Sequence, residues 1–254
     1  MADNELQATI CRSVFKKTLR AKSVAGLRNF GNTCYLNATI QLINICSCLR
    51  EFIVNIDWPP FPHLLQYLAS ILQDLGKKEV LRPLERMVFE MNNSFSREFA
   101  QQDVYHCLTY IMGAIDGFGR GMLDSLFEVK QQYVKQCQSC KSTLETFKFN
   151  GDPCTRCGSD NIDMIVDFSA TPQYLLIHLN WSVGRNNSYD CLLQIDETLA
   201  LGDRKYRLRG YSVHQGKGNE FGHYYSYVID GKQSWLYCSD DSVKAVDKRL
   251  EFAS

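Results

Sequence analysis

One cysteine of this sequence lies where a turn-forming segment gives way to a helical pattern. Cys34 follows the stretch GLRNFGNT, and apolar residues then recur at helical spacing. A helix N-terminus favours the thiolate, which is the form of cysteine that attacks carbonyl groups. Asn32 or Thr33 is placed to cap the helix, and the amide of Asn29 is a candidate oxyanion donor. On spacing alone, a buried structural cysteine at a helix start is the simpler interpretation.

A base to activate this thiol must come from far along the chain. His223 lies in GHYYSYV, where a glycine precedes an alternating aromatic run typical of a strand. The next strand-like stretch, SWLYCSDDSV, offers Ser239, Asp240 or Asp241 to orient the imidazole. A core histidine on an edge strand explains His223 equally well.

Four other cysteines form two CxxC pairs separated by thirteen residues. Two such knuckles supply the four thiolates of a tetrahedral zinc site, and a closed site of this kind is structural. Redox-active or merely buried cysteines are the alternative. The predicted zinc ligands are Cys137, Cys140, Cys154 and Cys157.

Composition limits the possible functions. The 254 residues carry 28 basic and 28 acidic side chains, and this balance argues against a protein whose main partner is a polyanion. The N-terminus lacks the pattern of a signal peptide, and no apolar run reaches the length of a membrane span. Eleven cysteines favour metal ligands, nucleophiles and core residues of a reducing compartment, so we expect an intracellular protein in the cytoplasm, the nucleus or both.

The elements that must position these residues change in type along the chain. Helical periodicity predicts helices from Thr33 to about Phe52, His63 to Leu75, Leu84 to Met91 and Gln101 to Ile115. From Ser125 onward, stretches rich in Val, Tyr and Ile alternate with turn residues and predict strands. Helices followed by antiparallel strands indicate an α+β fold.

Two long motifs resemble a known family. GLRNFGNTCYLNATIQ is similar to the cysteine box of the ubiquitin-specific proteases, and YSVHQGKGNEFGHYYSYV with SWLYCSDDSV resembles their histidine box. QQDVYHCL, LFEV, the CxxC pairs and TPQYLLIHLNW are similar to the blocks between these boxes, so the resemblance spans roughly residues 26–246.

The resemblance implies a papain-like fold with a thumb, a palm and fingers. It implies cleavage after the C-terminal glycine of ubiquitin, polyubiquitin or a ubiquitin-like modifier. By position, Cys34 is the nucleophile, His223 the base and later acid, and Asn29 the oxyanion donor. The expected organisation is a basic segment at 1–25 and one catalytic domain at 26–254, divided into thumb (26–120), fingers (121–170) and palm (171–254).

Three departures from the family pattern affect the interpretation. Ser239 stands where the family has Asn or Asp, as in the mitochondrial outer-membrane branch, so we expect a Cys34/His223/Ser239 triad assisted by Asp240. Asp103 matches the acid that binds the arginines of the ubiquitin tail, but the second acid of its motif is absent. The fingers are cut to a stub, which predicts weak binding of a single ubiquitin and reliance on a second unit or a recruiting protein.

Gly222 and Tyr224 match the loop and strand that surround the substrate tail in this family; Gly216, Gly218 and His214 belong to the same loop. An ordinary hairpin turn is the simpler explanation of these glycines. Two other functions are open. A catalytically weak or inactive ubiquitin-binding scaffold is favoured by Ser239, His106 and the short fingers, and a zinc-ribbon module for nucleic acid is disfavoured by the balanced charge.

Overall fold

The computed structural model describes residues 23–59, 63–96, 100–118, 121–144, 153–179, 193–194, 196–216, 221–247 and 251–252. Most of the basic segment predicted at 1–25 and Gly218 of the loop lie outside these residues. The described chain is helical first and β-stranded afterwards, so the predicted α+β class is confirmed. None of its helices combines the length and apolar character needed to cross a membrane.

Six α-helices build the described part of the first half. They are α1 (Cys34–Ile45), α2 (Ser47–Asn55), α3 (Leu64–Asp74), α4 (Leu81–Met91), α5 (Val104–Asp116) and α6 (Met122–Phe127). A 3₁₀ turn (Lys78–Val80) precedes α4, and a π turn (Asn92–Ser96) follows it. The helix predicted from Thr33 to Phe52 is interrupted at Cys46, where ψ is 85°, because that residue leaves the helical region.

Helix α1 is the centre of the thumb. Eleven of its twelve residues are buried, as expected for a helix that is surrounded by other elements rather than lying at the surface. Its apolar side chains join a core that includes residues from all six helices. Met122 and Leu126 of α6 belong to this helical core, although the sequence assigned 121–170 to the fingers.

The fingers are a small antiparallel sheet. β1 (Lys130–Cys137) pairs along its length with β3 (Ile162–Ala170), and β2 (Thr143–Leu144) pairs with the end of β1. The two knuckles lie at the same end of this sheet, because Cys137 is the last residue of β1 and pairs with Ile162, the first residue of β3. The pairing therefore brings distant cysteines together at the tip.

The palm is a four-stranded antiparallel sheet in the order β10-β9-β8-β7. Its strands are β7 (Gly210–Gln215), β8 (His223–Ile229), β9 (Trp235–Ser239) and β10 (Ser242–Ala245). Alternate residues of β8, namely Tyr224, Ser226 and Val228, are buried, and Ser226 Oγ bonds the Ala38 carbonyl of α1 at 3.3 Å. One face of the sheet thus packs on the helix that begins at Cys34.

Short strand pairs complete the palm: β5 (Thr198–Leu201) with β6 (Arg204–Arg207), and β4 (Leu193–Gln194) with β11 (Glu251–Phe252). The strand-like pattern predicted from Ser125 onward includes QYLLIHLNW, but no strand forms in the described part of this stretch, residues 173–179, which have an irregular backbone. An apolar run alone does not secure a strand, because the pairing partner decides whether the ladder forms.

Candidate active site

Three amides on one face of α1 hold the segment that precedes the helix. The Nδ2 atom of Asn37 donates to the Leu27 carbonyl at 3.1 Å, Nε2 of Gln41 to Ala25 at 2.7 Å, and Nδ2 of Asn44 to Ser23 at 3.1 Å. The three amides are four and three residues apart, so their side chains lie on one face of the helix. Their acceptors are alternate residues of the entering segment, whose carbonyls face that side of the helix. We call this set of contacts the amide clamp. It holds residues 23–27 against α1, ahead of the turn that leads to Cys34.

The residues immediately before Cys34 form a tight turn organised by Asn29. Its Oδ1 accepts from the backbone N–H groups of Gly31 and Thr33 and from the Thr33 hydroxyl. Thr33 stands at the N-cap position but does not cap, because its hydroxyl accepts from Phe30 N–H and donates to Asn29 instead. The cap predicted at Thr33 therefore does not form, and the side chains of Asn29 and Thr33 both stabilise the turn.

The thiol lies directly beside the strand that carries His223. Tyr224 N–H donates to Cys34 Sγ at 3.4 Å, and Tyr224 is the next residue after His223. The Nε2 atom of His223 lies 2.8 Å from Ser239 Oγ. The fold thus brings Cys34, His223 and Ser239 together from the thumb and from two neighbouring strands of the palm.

Asp240 also reaches this cluster, by means of an uncommon backbone conformation. Its φ is +48°, a left-handed conformation that aspartate tolerates better than most side chains, at the turn between β9 and β10. Its Oδ2 lies 4.0 Å from Nδ1 of His223 and accepts from Asn29 Nδ2 at 2.9 Å. Its Oδ1 accepts from Asn37 Nδ2 at 2.8 Å. Asn37 is the site contact that sequence reasoning missed.

A signal for Asn37 was nevertheless present in the sequence. Asparagine is disfavoured inside helices because its side chain competes for backbone groups. Asn37 lies three residues after Cys34, between the apolar residues Leu36 and Ala38, and it is buried. A buried amide at that position needs partners, which here come from the entering segment and from Asp240.

The electrostatic state of the thiol differs from the expectation. Burial raises the pKa of Cys34, which is only 3% exposed; the Tyr224 N–H opposes this, and the negative charge of Asp240 raises the pKa further. The helix N-terminus and imidazole were expected to favour the thiolate. Burial opposes this expectation, because a buried anion loses its hydration.

A second set of contacts connects thumb and palm beside the thiol. Asp103 is the N-cap of α5 and accepts from the backbone N–H groups of Tyr105 and His106, while its Oδ2 accepts from the Tyr224 hydroxyl at 2.8 Å. His214 Nε2 lies 3.2 Å from Gln101 Nε2, and its ring is 4.5 Å from that of Tyr224. The candidate tail-binding residues Asp103 and Tyr224 are thus in direct contact.

Gly222 occupies a position where a side chain does not fit. Its φ is +157°, and a Cβ there would overlap the imidazole of His214. Gly216 is equally confined, because its Cβ would overlap the Phe221 carbonyl. The described ends of the loop therefore lie close together, beside His214.

The predicted metal ligands converge at the tip of the fingers. The four sulfurs of Cys137, Cys140, Cys154 and Cys157 lie within 4.8 Å of one another. The Sγ atoms of Cys137 and Cys157 are 3.5 Å apart, and those of Cys140 and Cys154 are 3.7 Å apart. A tetrahedral ion with metal–sulfur bonds of about 2.3 Å places its ligands about 3.8 Å apart, so the set fits one metal ion.

The two knuckles have the same backbone design. In each, the N–H of the residue after the second cysteine donates to the carbonyl of the first: Lys141 to Cys137 at 2.8 Å, and Gly158 to Cys154 at 2.7 Å. Lys141 and Gly158 both have positive φ, 57° and 72°. Hydrogen bonds from Ser142 lower the pKa of Cys140 and lower that of Cys154 to about 6, which favours the thiolate form of these two ligands, whereas contacts with the neighbouring sulfurs raise the pKa of Cys157.

A helix that begins at a cysteine and packs against an antiparallel sheet bearing a histidine defines the papain-like class of fold. Within that class, the chain belongs to the ubiquitin carboxyl-terminal hydrolase family, whose sequence model matches residues 25–253. This confirms the resemblance drawn from the cysteine and histidine boxes.

Individual relatives are distant. The chain is 22% identical over 310 residues to ubiquitin carboxyl-terminal hydrolase 24 of Homo sapiens, covering 87% of this chain and 12% of that protein. It is 22% identical over 315 residues to hydrolase 25 of Arabidopsis thaliana, covering 94% and 47%. The chain therefore spans half or less of the length of these relatives.

Solved structures share the fold. The SAGA Ubp8/Sgf11/Sus1/Sgf73 DUB module bound to ubiquitin aldehyde matches with a TM-score of 0.58 and 14% identity, over 99% of this chain and 73% of that one. A variant of the same module, with a substitution in Ubp8, matches with a TM-score of 0.64 and 15% identity, covering 99% and 72%. The predicted fold type is thereby confirmed.

Proposed function

We propose that this chain is a thiol-dependent isopeptidase that cleaves after the C-terminal glycine of ubiquitin or a ubiquitin-like modifier. The observation that carries the proposal is the hydrogen bond from Tyr224 N–H to Cys34 Sγ, next to an imidazole held by Ser239. Family membership supports the substrate class, since neighbouring structures hold ubiquitin aldehyde or monoubiquitin.

A residue of the site can be assigned to each step of the proposed reaction. With Nε2–H donating to Ser239 Oγ, the Nδ1 atom of His223 accepts the proton of Cys34 as the sulfur attacks the glycine carbonyl carbon. The tetrahedral oxyanion accepts from the second N–H of the Asn29 amide. As the C–N bond breaks, the imidazolium returns its proton to the departing amine. Water activated by the same imidazole then hydrolyses the thioester and regenerates the thiol.

Asp240 assists this cycle in two ways. Its Oδ2 accepts from Asn29 Nδ2, which holds the proposed oxyanion donor. The same oxygen lies 4.0 Å from Nδ1 of His223, so its charge stabilises the imidazolium that Ser239, a neutral residue, stabilises less. A charge at this position supports a working site despite the serine in the triad.

Substrate binding is assigned to the junction of thumb and palm. We propose that Asp103 binds the basic tail of the modifier, and that Gly222 and Tyr224 border a channel narrow enough for a diglycine. The absence of a side chain at Gly222 supports this channel, because any Cβ would meet His214. The short fingers support weak binding of one ubiquitin, with a second chain unit or a recruiting protein supplying affinity.

We propose zinc as the metal of the four-cysteine cluster, acting as a structural clasp. Four thiolates with no vacant position match the closed zinc sites of proteins. Zinc would then hold the two knuckles at the tip of the fingers. A chain of eleven cysteines, four of which converge as metal ligands, is typical of a reducing compartment, and this supports a location inside the cell, in cytoplasm, nucleus or both.

A ubiquitin probe with a thiol-reactive C-terminal warhead tests the function. We expect the wild type and a Cys46→Ala control to be labelled and to hydrolyse ubiquitin–aminomethylcoumarin, whereas Cys34→Ala does neither. Parallel probes built on SUMO and other modifiers identify the substrate. Labelling of Cys34→Ala, or an unlabelled wild type with every probe, would overturn the proposal.

A second candidate is a weak or inactive ubiquitin-binding scaffold. It is favoured by the burial of Cys34, which raises the pKa of the thiol, and by the hydrogen bond between Asn29 and Asp240. A wild type that binds ubiquitin as tightly as Cys34→Ala but neither labels nor turns over would establish this alternative.

A further inference from the structure

Asp240 is held by two amides that lie on either side of the nucleophile in the sequence. Asn29 Nδ2 approaches Oδ2 at 2.9 Å and Asn37 Nδ2 approaches Oδ1 at 2.8 Å, so each carboxylate oxygen has its own donor. The carboxylate side chain is 15% exposed. Two charge-assisted hydrogen bonds in a largely buried place fix its orientation.

The orientation of the Asn37 amide is dictated by its surroundings. Its nitrogen faces three acceptors: the carbonyls of Leu27 and Arg28, at 3.1 and 3.4 Å, and the Asp240 carboxylate. A flipped amide would set its oxygen against all three. The observed orientation leaves Asn37 Oδ1 buried without a hydrogen-bond partner in the described structure, a cost offset by the contact with the carboxylate.

The amide clamp separates this contact from ordinary structural support. Gln41 has the same chemistry as Asn37: its nitrogen donates to a backbone carbonyl of the entering segment, and its Oε1 is buried without a partner among the described residues. Of the three clamp amides, Asn37 is the one whose nitrogen also donates to a carboxylate within the described part of the chain. Holding the segment accounts for the carbonyl contacts but not for the contact with Asp240.

We infer that Asn37 is a positioning residue for the reaction: by orienting the Asp240 carboxylate, it sets the Asn29 amide and the charge beside His223. This inference deepens the proposed function and depends on it. Asn37 acts through Asp240 and needs no contact with substrate. The thiol-bearing helix thereby carries both the nucleophile and, one turn later, the group that aligns its electrostatic partners.

The experiment compares Asn37→Ala with the matched control Gln41→Ala in ubiquitin–aminomethylcoumarin hydrolysis. Both lose one clamp bond, and Asn37→Ala also loses its contacts with Arg28 and Asp240, so we expect its melting temperature to fall at least as far as that of Gln41→Ala. We expect kcat of Asn37→Ala to fall by about 10- to 100-fold with little change in KM, since a hydrogen bond to a charged group is lost. Gln41→Ala should stay within about threefold of wild type. Asn37→Ser serves as the second variant if the alanine variant does not fold.

Coupling to Asp240 is the more specific readout. If Asn37 acts through the carboxylate, adding Asn37→Ala to Asp240→Asn lowers kcat little further than Asp240→Asn alone. Independent, multiplicative losses would overturn the inference, and so would equal losses of kcat in Asn37→Ala and Gln41→Ala.

Failure of the proposed function is distinguishable from failure of this inference. A wild type that is not labelled by the probe and does not hydrolyse ubiquitin–aminomethylcoumarin would rule out the proposed function. The positioning role of Asn37 can still be tested without ubiquitin, by reaction of Cys34 with iodoacetamide and mass spectrometry of the Cys34 peptide. We expect the pH midpoint of that reaction to move down in Asn37→Ala, as the carboxylate turns away from the thiol, and to stay unchanged in Gln41→Ala. An unchanged midpoint in Asn37→Ala would overturn the inference.

Discussion

The Tyr224 hydroxyl donates a hydrogen bond of 2.8 Å to Asp103 Oδ2 and joins strand β8 of the palm to the first turn of helix α5. Asp103 Oδ1 accepts from the backbone of that turn, with Tyr105 N–H at 2.7 Å. One carboxylate therefore caps a helix and connects the two halves of the site. A substrate tail that engages Asp103 would act at this connection.

Replacing Asp103 by asparagine separates its charge from its capping role. Asparagine caps helices about as well as aspartate, so we expect the free energy of unfolding to change by less than about 1 kcal/mol. We expect KM for ubiquitin–aminomethylcoumarin to rise about tenfold or more, because a charge-assisted contact to an arginine is worth about 1.5–3 kcal/mol. Asp116→Asn, at the exposed end of α5, is the charge-matched control. An unchanged KM would remove Asp103 from substrate binding.

The contributions of Ser239 and Asp240 to catalysis can be ranked by replacing each residue separately. Asp240→Asn keeps a side chain that tolerates φ of +48° but removes the charge near His223, so we expect a fall in kcat of about 100-fold. Ser239→Ala removes one hydrogen bond to Nε2, and we expect a fall of about tenfold. Full turnover by Ser239→Ala, together with an inactive Asp240→Asn, would assign the third triad position to the aspartate.

The reactivity of the thiol should reveal its burial. Because burial raises the pKa of Cys34, iodoacetamide should modify it with a pH midpoint above the ordinary thiol value of 9.0. Asp240 also raises this pKa, so Asp240→Asn should lower the midpoint. Mass spectrometry of the Cys34 peptide distinguishes it from Cys157, which is exposed. A midpoint below 9.0 in the substrate-free wild type would show that the thiol is activated before substrate binds.

Metal content tests the cluster in the fingers. We expect one zinc ion per chain by elemental analysis, and its loss in Cys154→Ser, because three remaining thiolates hold zinc less tightly than four. Cys46→Ser, which changes a half-buried cysteine outside the cluster, is the control and should keep its zinc. Chelation should lower the melting temperature of the wild type and leave that of Cys154→Ser unchanged. A metal-free wild type after purification from zinc-supplemented cells would contradict the zinc assignment.

Gly26 is expected to be indispensable for a steric reason. A Cβ there would overlap the backbone carbonyl of Asp241, and the neighbouring Leu27 N–H donates to the Asp240 carbonyl at 2.8 Å. Gly26→Ala should therefore displace the turn that carries Asp240 and lower both kcat and the free energy of unfolding, the latter by about 1–3 kcal/mol. Gly113→Ala, in α5 with open space around its Cβ, should instead be neutral or stabilising by up to about 1 kcal/mol. Urea denaturation of both variants measures these changes in the free energy of unfolding. Wild-type stability of Gly26→Ala would contradict the prediction.

Local pattern predicted the parts of the molecule in which neighbours along the chain settle the structure. The helix starting at Cys34, the strand starting at His223 and the two knuckles each follow from residue types within a few positions. The break at Cys46 and the irregular backbone at 173–179 were missed, because tertiary packing overrides apolar periodicity. The cap predicted at Thr33 does not form, because the Thr33 hydroxyl donates to a competing local partner, Asn29 Oδ1.

The sequence by itself determined which groups are available: a thiol at a helix start, an imidazole at a strand start and four paired cysteines. Only the tertiary structure decided how they are used. Asn37 and Asp240 are 203 residues apart, and their contact exists because β9 and β10 turn back against α1. The burial that raises the pKa of Cys34 is likewise a property of packing. Desolvation and long-range hydrogen bonds depend on which surfaces meet, and spacing along a chain does not encode that directly.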